Sequence, residues 1–160
     1  MKTIPLTKGY YAKVDDEDYE ELTKRRWQAA TTKYKGKIND VRPVRSVYKP
    51  RRTLQMGREI LKPPKGRYID HINGDALDNR KCNLRLCSGT ENQRNKIRSS
   101  NNKSGYKGVF ARGKKFIAQI KVEKYEHLGT FPDRVSAAHA YNKAAKKHYG
   151  KFARLNIIKK

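Results

Sequence analysis

Cysteine is almost absent from this chain. Cys82 and Cys87 are five residues apart, and no C-x-x-C pair occurs. That excludes a disulfide framework, and a structural zinc would need two further ligands at suitable spacing. The histidines left for that task, His127, His139 and His148, fall far along the chain. Buried free thiols are the expectation. Long apolar runs are missing as well. Nothing approaches the ~18 consecutive apolar residues of a membrane span, and the start M-K-T-I-P-L-T-K-G-Y has no signal-peptide core. We therefore expect an intracellular, cytoplasmic protein without a membrane segment. No protein partner is evident. Hydrophobic residues make up 36% and charged residues 34%, which predicts small modules rather than one large core.

The scarcest commodity is negative charge. Lys and Arg number 39 against 15 Asp and Glu, a net charge of +24. The excess is spread along the chain: 15 basic and 8 acidic residues in 1–60, 9 and 4 in 61–100, 15 and 3 in 101–160. A folded protein tolerates such self-repulsion when it binds a polyanion. Solubility, a ribosomal role or a membrane-surface role would explain the charge less well than nucleic acid. Double-stranded DNA is the expected partner, with RNA binding through basic strands and tyrosines as an alternative.

The pattern predicts an α+β chain in three parts. Residues 1–60 form a small basic α/β module, opening with a strand at Tyr10–Val14 and a short helix in D-D-E-D-Y-E-E-L-T-K-R-R-W. Acids fill the first turn of that helix and bases its last, matching the helix dipole. Six acids so close invite a metal-site reading, but a solvated helix start explains them better. Tyr19, Leu22 and Trp27 are the expected small core. Lys24 to Arg58 is strand-like, with twelve basic residues opposed only by Asp40, and Tyr34 and Tyr48 are available to pack or stack. M-G-R-E-I-L (56–61) reads as a helix ended by Pro63-Pro64. Residues 61–98 hold a hairpin and helix, and S-S-N-N-K-S-G (99–105) reads as a linker.

In 106–160, Tyr106–Arg112, Lys115–Val122 and Glu126–Phe131 read as three antiparallel strands. Phe116, Ala118, Ile120 and Val122 alternate with mostly polar neighbours, so one face is apolar. A helix follows from Pro132-Asp133 to about Tyr149, stopped by Gly150. Its stripe of Ala137, Ala138, Tyr141, Ala144 and Ala145 would let it lie close on that face.

The segment richest in chemistry is Y-I-D-H-I-N-G-D-A-L-D-N-R-K-C-N-L-R-L-C-S-G-T-E-N-Q-R-N, residues 68–95. Phosphodiester hydrolysis needs a base for the attacking water, worth ~10²–10⁴-fold, and charge stabilisation on the phosphoryl and leaving oxygens. Adjacent strand residues point to opposite sides, so His71 suits the base and Asp70 a metal ligand. Asn92, one turn into the following helix, offers a further oxygen. Hard oxygen donors favour magnesium, with manganese also suitable, over zinc. Asn83 can pin backbone across the hairpin. An EF-hand is excluded, because Ile72 and Gly74 occupy its third and fifth positions. Any one of these residues alone would pass for a turn or cap, but the full series in a basic chain is harder to reach by chance.

D-H-I-N-G-D-x-x-D-N-R-x-x-N-L-R followed by E-N-x-x-N resembles the HNH nuclease motif, the ββα-metal fold, in the variety common among phage and intron-associated homing endonucleases. The resemblance implies Asp70 and Asn92 as metal ligands, His71 as general base and Asn83 as the residue orienting the base strand. V-D-D-E-D-Y and Trp27 are similar to the region preceding the motif in such proteins. Gly57 departs from it, since many relatives have His there. Y-K-G-V, F-I-A-Q-I, L-G-T-F, S-A-A-x-A-Y-N-K-A-A and Leu155-Asn156 resemble the Apetala/ethylene-response-factor type of DNA-binding domain. That likeness implies Lys107, Arg112, Gln119, Lys121 and His127 facing DNA, with Phe110 where Arg is usual and His127 where Trp is usual. Together the two imply a metal-dependent DNA endonuclease of the homing type. The alternative is a non-catalytic DNA-binding regulator that keeps the hairpin as scaffold.

Overall fold

The computed structural model describes residues 1–96 and 101–158, apart from the side chain of Tyr34. It is an α+β protein of small antiparallel sheets and short helices, in two compact units, Met1–Gly89 and Thr90–Lys160.

The first unit opens with a two-stranded ribbon, Lys2–Pro5 (β1) and Tyr11–Val14 (β2), then the helix Asp16–Thr23 (α1). Gln28–Tyr34 (β3), Lys37–Tyr48 (β4) and Arg51–Gln55 (β5) make an antiparallel meander, followed by Met56–Leu61 (α2). The core gathers Ile4, Leu6, Ala12, Val14, Leu22, Trp27, Ala29 and Met56, with Tyr19 partly buried against it. Trp27 satisfies its indole N–H on Leu22 O, 2.9 Å away. Arg45 on β4 pairs with Glu59 on α2 through two 2.7 Å bonds. Tyr68–His71 (β6) and Leu84–Cys87 (β7) complete the unit as a hairpin.

Helix Gly89–Asn95 (α3) starts at the boundary, and the rest of it belongs to the second unit. Val109–Arg112 (β8), Lys115–Lys121 (β9) and Tyr125–Phe131 (β10) form a sheet with β9 central, and Arg134–Tyr149 (α4) packs behind it. The expected alternation places Ala118 and Ile120 in the core with Val109, Ala137, Ala138, Tyr141 and Ala145. Asp133 caps α4, accepting from Val135 N and Ser136 N at 2.8 Å. Its carboxyl is held below the ordinary range chiefly by the backbone bond from Ser136.

The first strand of this sheet starts at Val109 rather than Tyr106. In the stretch read as a linker, Ser99 and Ser100 lie outside the described residues, whereas Asn102–Gly105 form a bonded turn. Asn102 donates to Tyr106 O and Val109 O, and Ser104, buried, lies 2.8 Å from Val109 O. Those bonds hold the chain in a turn until Gly108, whose φ of +73° suits glycine. A Cβ at Gly108 would collide with the Tyr141 ring and lie 2.8 Å from Gln119 O. Gly108→Ala should therefore destabilise the second unit by roughly 3 kcal/mol, overpacking and left-handed strain together. Chemical denaturation of the full chain followed by tyrosine fluorescence checks it.

Candidate active site

The hairpin register pairs Tyr68 with Cys87, Ile69 with Leu86, Asp70 with Arg85 and His71 with Leu84. Opposed residues share a face, so Asp70 and Arg85 lie on one side and His71 on the other. The strands have four residues each and cannot hold the loop of residues 72–83 by themselves. The loop is organised by buried polar side chains instead. Asn83 Oδ1 accepts from Asn73 N at 2.9 Å, and Asn83 Nδ2 donates to Asp78 O at 2.7 Å. Asp78 is only 2% exposed and accepts both forks of Arg80 at 2.7 Å, which holds its carboxyl below the usual range.

The loop is also stitched to β2 and α1. Lys13 N donates to Leu77 O and Asn79 N to Lys13 O, both at 2.8 Å. Asp15 accepts from Lys81 N, and the Lys81 ammonium reaches Glu17 and Asp18. Part of the acidic cluster at the start of α1 thus fastens the hairpin loop. Among the described residues, no group of three or more His, Cys, Asp or Glu is placed to hold a metal.

His71 is partly buried, with Nε2 3.3 Å from Asn79 Oδ1. Asn79, 1% exposed, donates its Nδ2 to Ala76 O at 3.1 Å. That bond fixes which way the amide faces, and an amide oxygen can only accept. Nε2 must therefore carry the proton, and in the neutral ring Nδ1 is the basic nitrogen. Burial lowers the pKa of His71 below 6.5; the Asn79 bond pulls it upward, and the Arg42 charge adds to the lowering.

Asp70, 5% exposed, accepts from Arg85 Nε at 2.8 Å and Nη2 at 2.5 Å through Oδ2. Its carboxylate faces a resident cation. A carboxylate is a hard oxygen donor, the kind that magnesium and manganese take, and such ions commonly complete their sphere with water and phosphate. Asn92 stands half-buried on α3, in the second unit, whereas Asp70, His71 and Asn83 are gathered in the first. Gly57 lies under the site. A Cβ there would come 3.3 Å from Asn79 Oδ1 and 3.3 Å from Ile69 Cγ2. The small residue lets α2 approach the group that orients His71.

Asn79 and Arg85 are not singled out by the sequence reading. Asn79 hides among the turn formers of N-G-D-A-L-D-N-R. Arg85 was within reach, because an acid and a base directly across a hairpin form a favourable pair once the register is counted. On the C-terminal sheet, Arg112, Lys121 and His127 are exposed and Gln119 half-buried. They occupy the face away from α4, with exposed Phe110 and Tyr125 and with His127 opposite Gln119. Lys107 is different. It precedes β8, and its ammonium bonds backbone carbonyls.

Removing the Arg85 guanidinium leaves a buried carboxylate without its cation, a change that typically costs about 3–5 kcal/mol. Arg85→Met should destabilise the first unit by that order, measured by urea denaturation at neutral pH.

Residues 62–94 match the family described as HNH endonuclease. An uncharacterized HNH endonuclease of Acanthamoeba polyphaga mimivirus is 34% identical over 97 residues, covering 61% of this chain and 51% of the relative. Protein 3.8 of Escherichia phage T7 is 44% identical over 61 residues, covering 38% of this chain and 50% of the relative. The chain spans about half the length of these curated relatives. No solved structure matches it significantly. The hairpin that holds Asp70, His71 and Asn83 therefore lies within the part of this chain that matches the HNH endonuclease family.

Proposed function

We propose that this protein is a metal-dependent DNA endonuclease of the homing type, with His71 as general base and the C-terminal sheet as its DNA grip. The observation that carries this reading is the buried Asn79 amide, whose Oδ1 lies 3.3 Å from His71 Nε2 and favours a ring protonated there. That ring takes the proton of an attacking water at Nδ1 while the water oxygen bonds to phosphorus and the opposite P–O bond breaks, its electron pair leaving on the departing oxygen, which takes a proton from solvent. The charged ring that results keeps its Nε2–H on Asn79 Oδ1, so the amide stabilises the state that forms. Asn83 keeps the strand and loop in register beneath it. A divalent cation, magnesium or manganese, held by Asp70 and Asn92 would stabilise charge on the phosphoryl and leaving oxygens. Double-stranded DNA fits the +24 charge, and Arg112, Gln119, Lys121 and His127 supply polar contacts from the open sheet face.

A second reading draws on the Asp70–Arg85 pair. If Arg85 permanently fills the place of a cation, the hairpin is scaffold for a DNA-binding regulator. Nicking of supercoiled plasmid separates the two. We expect conversion to open circles with magnesium or manganese, and none in EDTA. His71→Ala should lower the rate by about 10²–10⁴-fold while DNA affinity stays at the wild-type level. An inactive wild-type protein would favour the regulator, and full activity in His71→Ala would remove His71 from the mechanism. Affinity should also fall linearly with salt on a double-logarithmic plot, as expected when phosphates exchange counterions for lysine and arginine. A salt-insensitive affinity would contradict the charge argument.

A further inference from the structure

The helix carrying Asn92 poses a physical problem. At seven residues, α3 is too short to persist alone. Its sequence, G-T-E-N-Q-R-N, has no large apolar residue, so hydrophobic burial cannot dock it. Its last carbonyls also need partners.

The C-terminal unit supplies polar fastenings. Lys107 Nζ donates to Arg94 O at 2.5 Å and to Lys96 O at 2.7 Å, placing an ammonium at the negative end of the helix. Burial of this ammonium lowers its pKa to about 8. The Lys107 backbone is itself clamped, since Lys107 N donates to Asn156 Oδ1 at 2.6 Å and Asn156 Nδ2 donates to Lys107 O at 3.0 Å. On the other contact, the Arg94 guanidinium lies 4.9 Å from the centre of the Tyr149 ring. Arg94 Nε is buried with no hydrogen-bond partner among the described residues, so the ring is a principal neighbour of that charge. Tyr149 in turn donates to Lys121 O at 2.6 Å, on the central strand of the sheet.

We propose that Lys107 and Arg94 are positioning residues that fasten the Asn92 helix to the sheet-and-helix unit, so that the unit gripping DNA also places a metal-binding side chain. This rests on the nuclease reading. It also gives Lys107 a task other than the DNA contact implied by resemblance: the ammonium closes the end of α3.

The test uses the full chain with Lys107→Met, which keeps the stem and removes the charge. Backbone hydrogen exchange across residues 89–96 should quicken, while exchange in β8–β10 stays at the wild-type rate. The manganese concentration for half-maximal nicking should rise about tenfold, the usual order when a group supporting a metal ligand is lost. DNA affinity in EDTA should hold, and Lys107→Arg should restore most of both effects. Arg94→Met, which removes the ring contact, should act in the same direction and serves if Lys107→Met fails to fold. Unchanged exchange across 89–96 in a folded variant, or an unchanged manganese requirement, would overturn the proposal. So would a loss of affinity in EDTA that matches the loss of nicking. A wild-type protein that never nicks would sink the nuclease reading and this proposal with it, whereas a nicking wild type with unaltered variants would sink this proposal alone.

Discussion

The hairpin depends on one constraint: buried polar groups must be paired. Asp78, Asn79 and Asn83 are all less than 10% exposed in a loop flanked by strands of four residues. Unpaired, each would cost about 1–3 kcal/mol, more than such a hairpin can spare. Their solution is mutual. Asn83 bonds Asn73 and Asp78, Asp78 bonds Arg80, and Asn79 bonds Ala76 and His71. These bonds tie the loop together, and His71 sits against it through Asn79. The placement of the ring follows from a requirement of folding.

The N-terminal module acts on the same loop. It lends Lys13 backbone to Leu77 and Asn79, and acids of α1 to Lys81. Without that support, the hairpin would expose one side of its loop to solvent. The second unit shows a parallel economy of means. Its sheet and α4 use small residues to pack closely, with Gly108 lying where a Cβ would strike the Tyr141 ring. Its C-terminal Asn156 then locks the segment from which Lys107 reaches α3.

Much of this was legible in the sequence, for reasons of period. Phe116, Ala118 and Ile120 alternate because β9 has one face on α4, and Asp133 and Gly150 mark that helix because its ends need partners. The α+β class and the helix at Met56–Leu61 were readable in the same way. What escaped depends on distance. β1 has only Ile4 buried, too little for a periodic signal. Asn79 orients His71 across eight residues, and nothing local distinguishes it from other turn asparagines. Arg85 meets Asp70 only once the register is known. Lys107 resembles a surface base by position, yet its stem turns to carbonyls eleven and thirteen residues earlier.

His71, the proposed base, should carry its proton on Nε2, toward Asn79 Oδ1. Burial lowers its pKa from that of an ordinary histidine, so the second proton is lost earlier as pH rises. A ¹H–¹⁵N correlation spectrum of the histidine rings, with His71 assigned by comparison with His71→Gln, reads charge and tautomer together. At pH 7.5 the account predicts a neutral His71 ring protonated at Nε2, with a titration midpoint below that of a free histidine. An imidazolium at that pH, or a ring protonated at Nδ1, would contradict it.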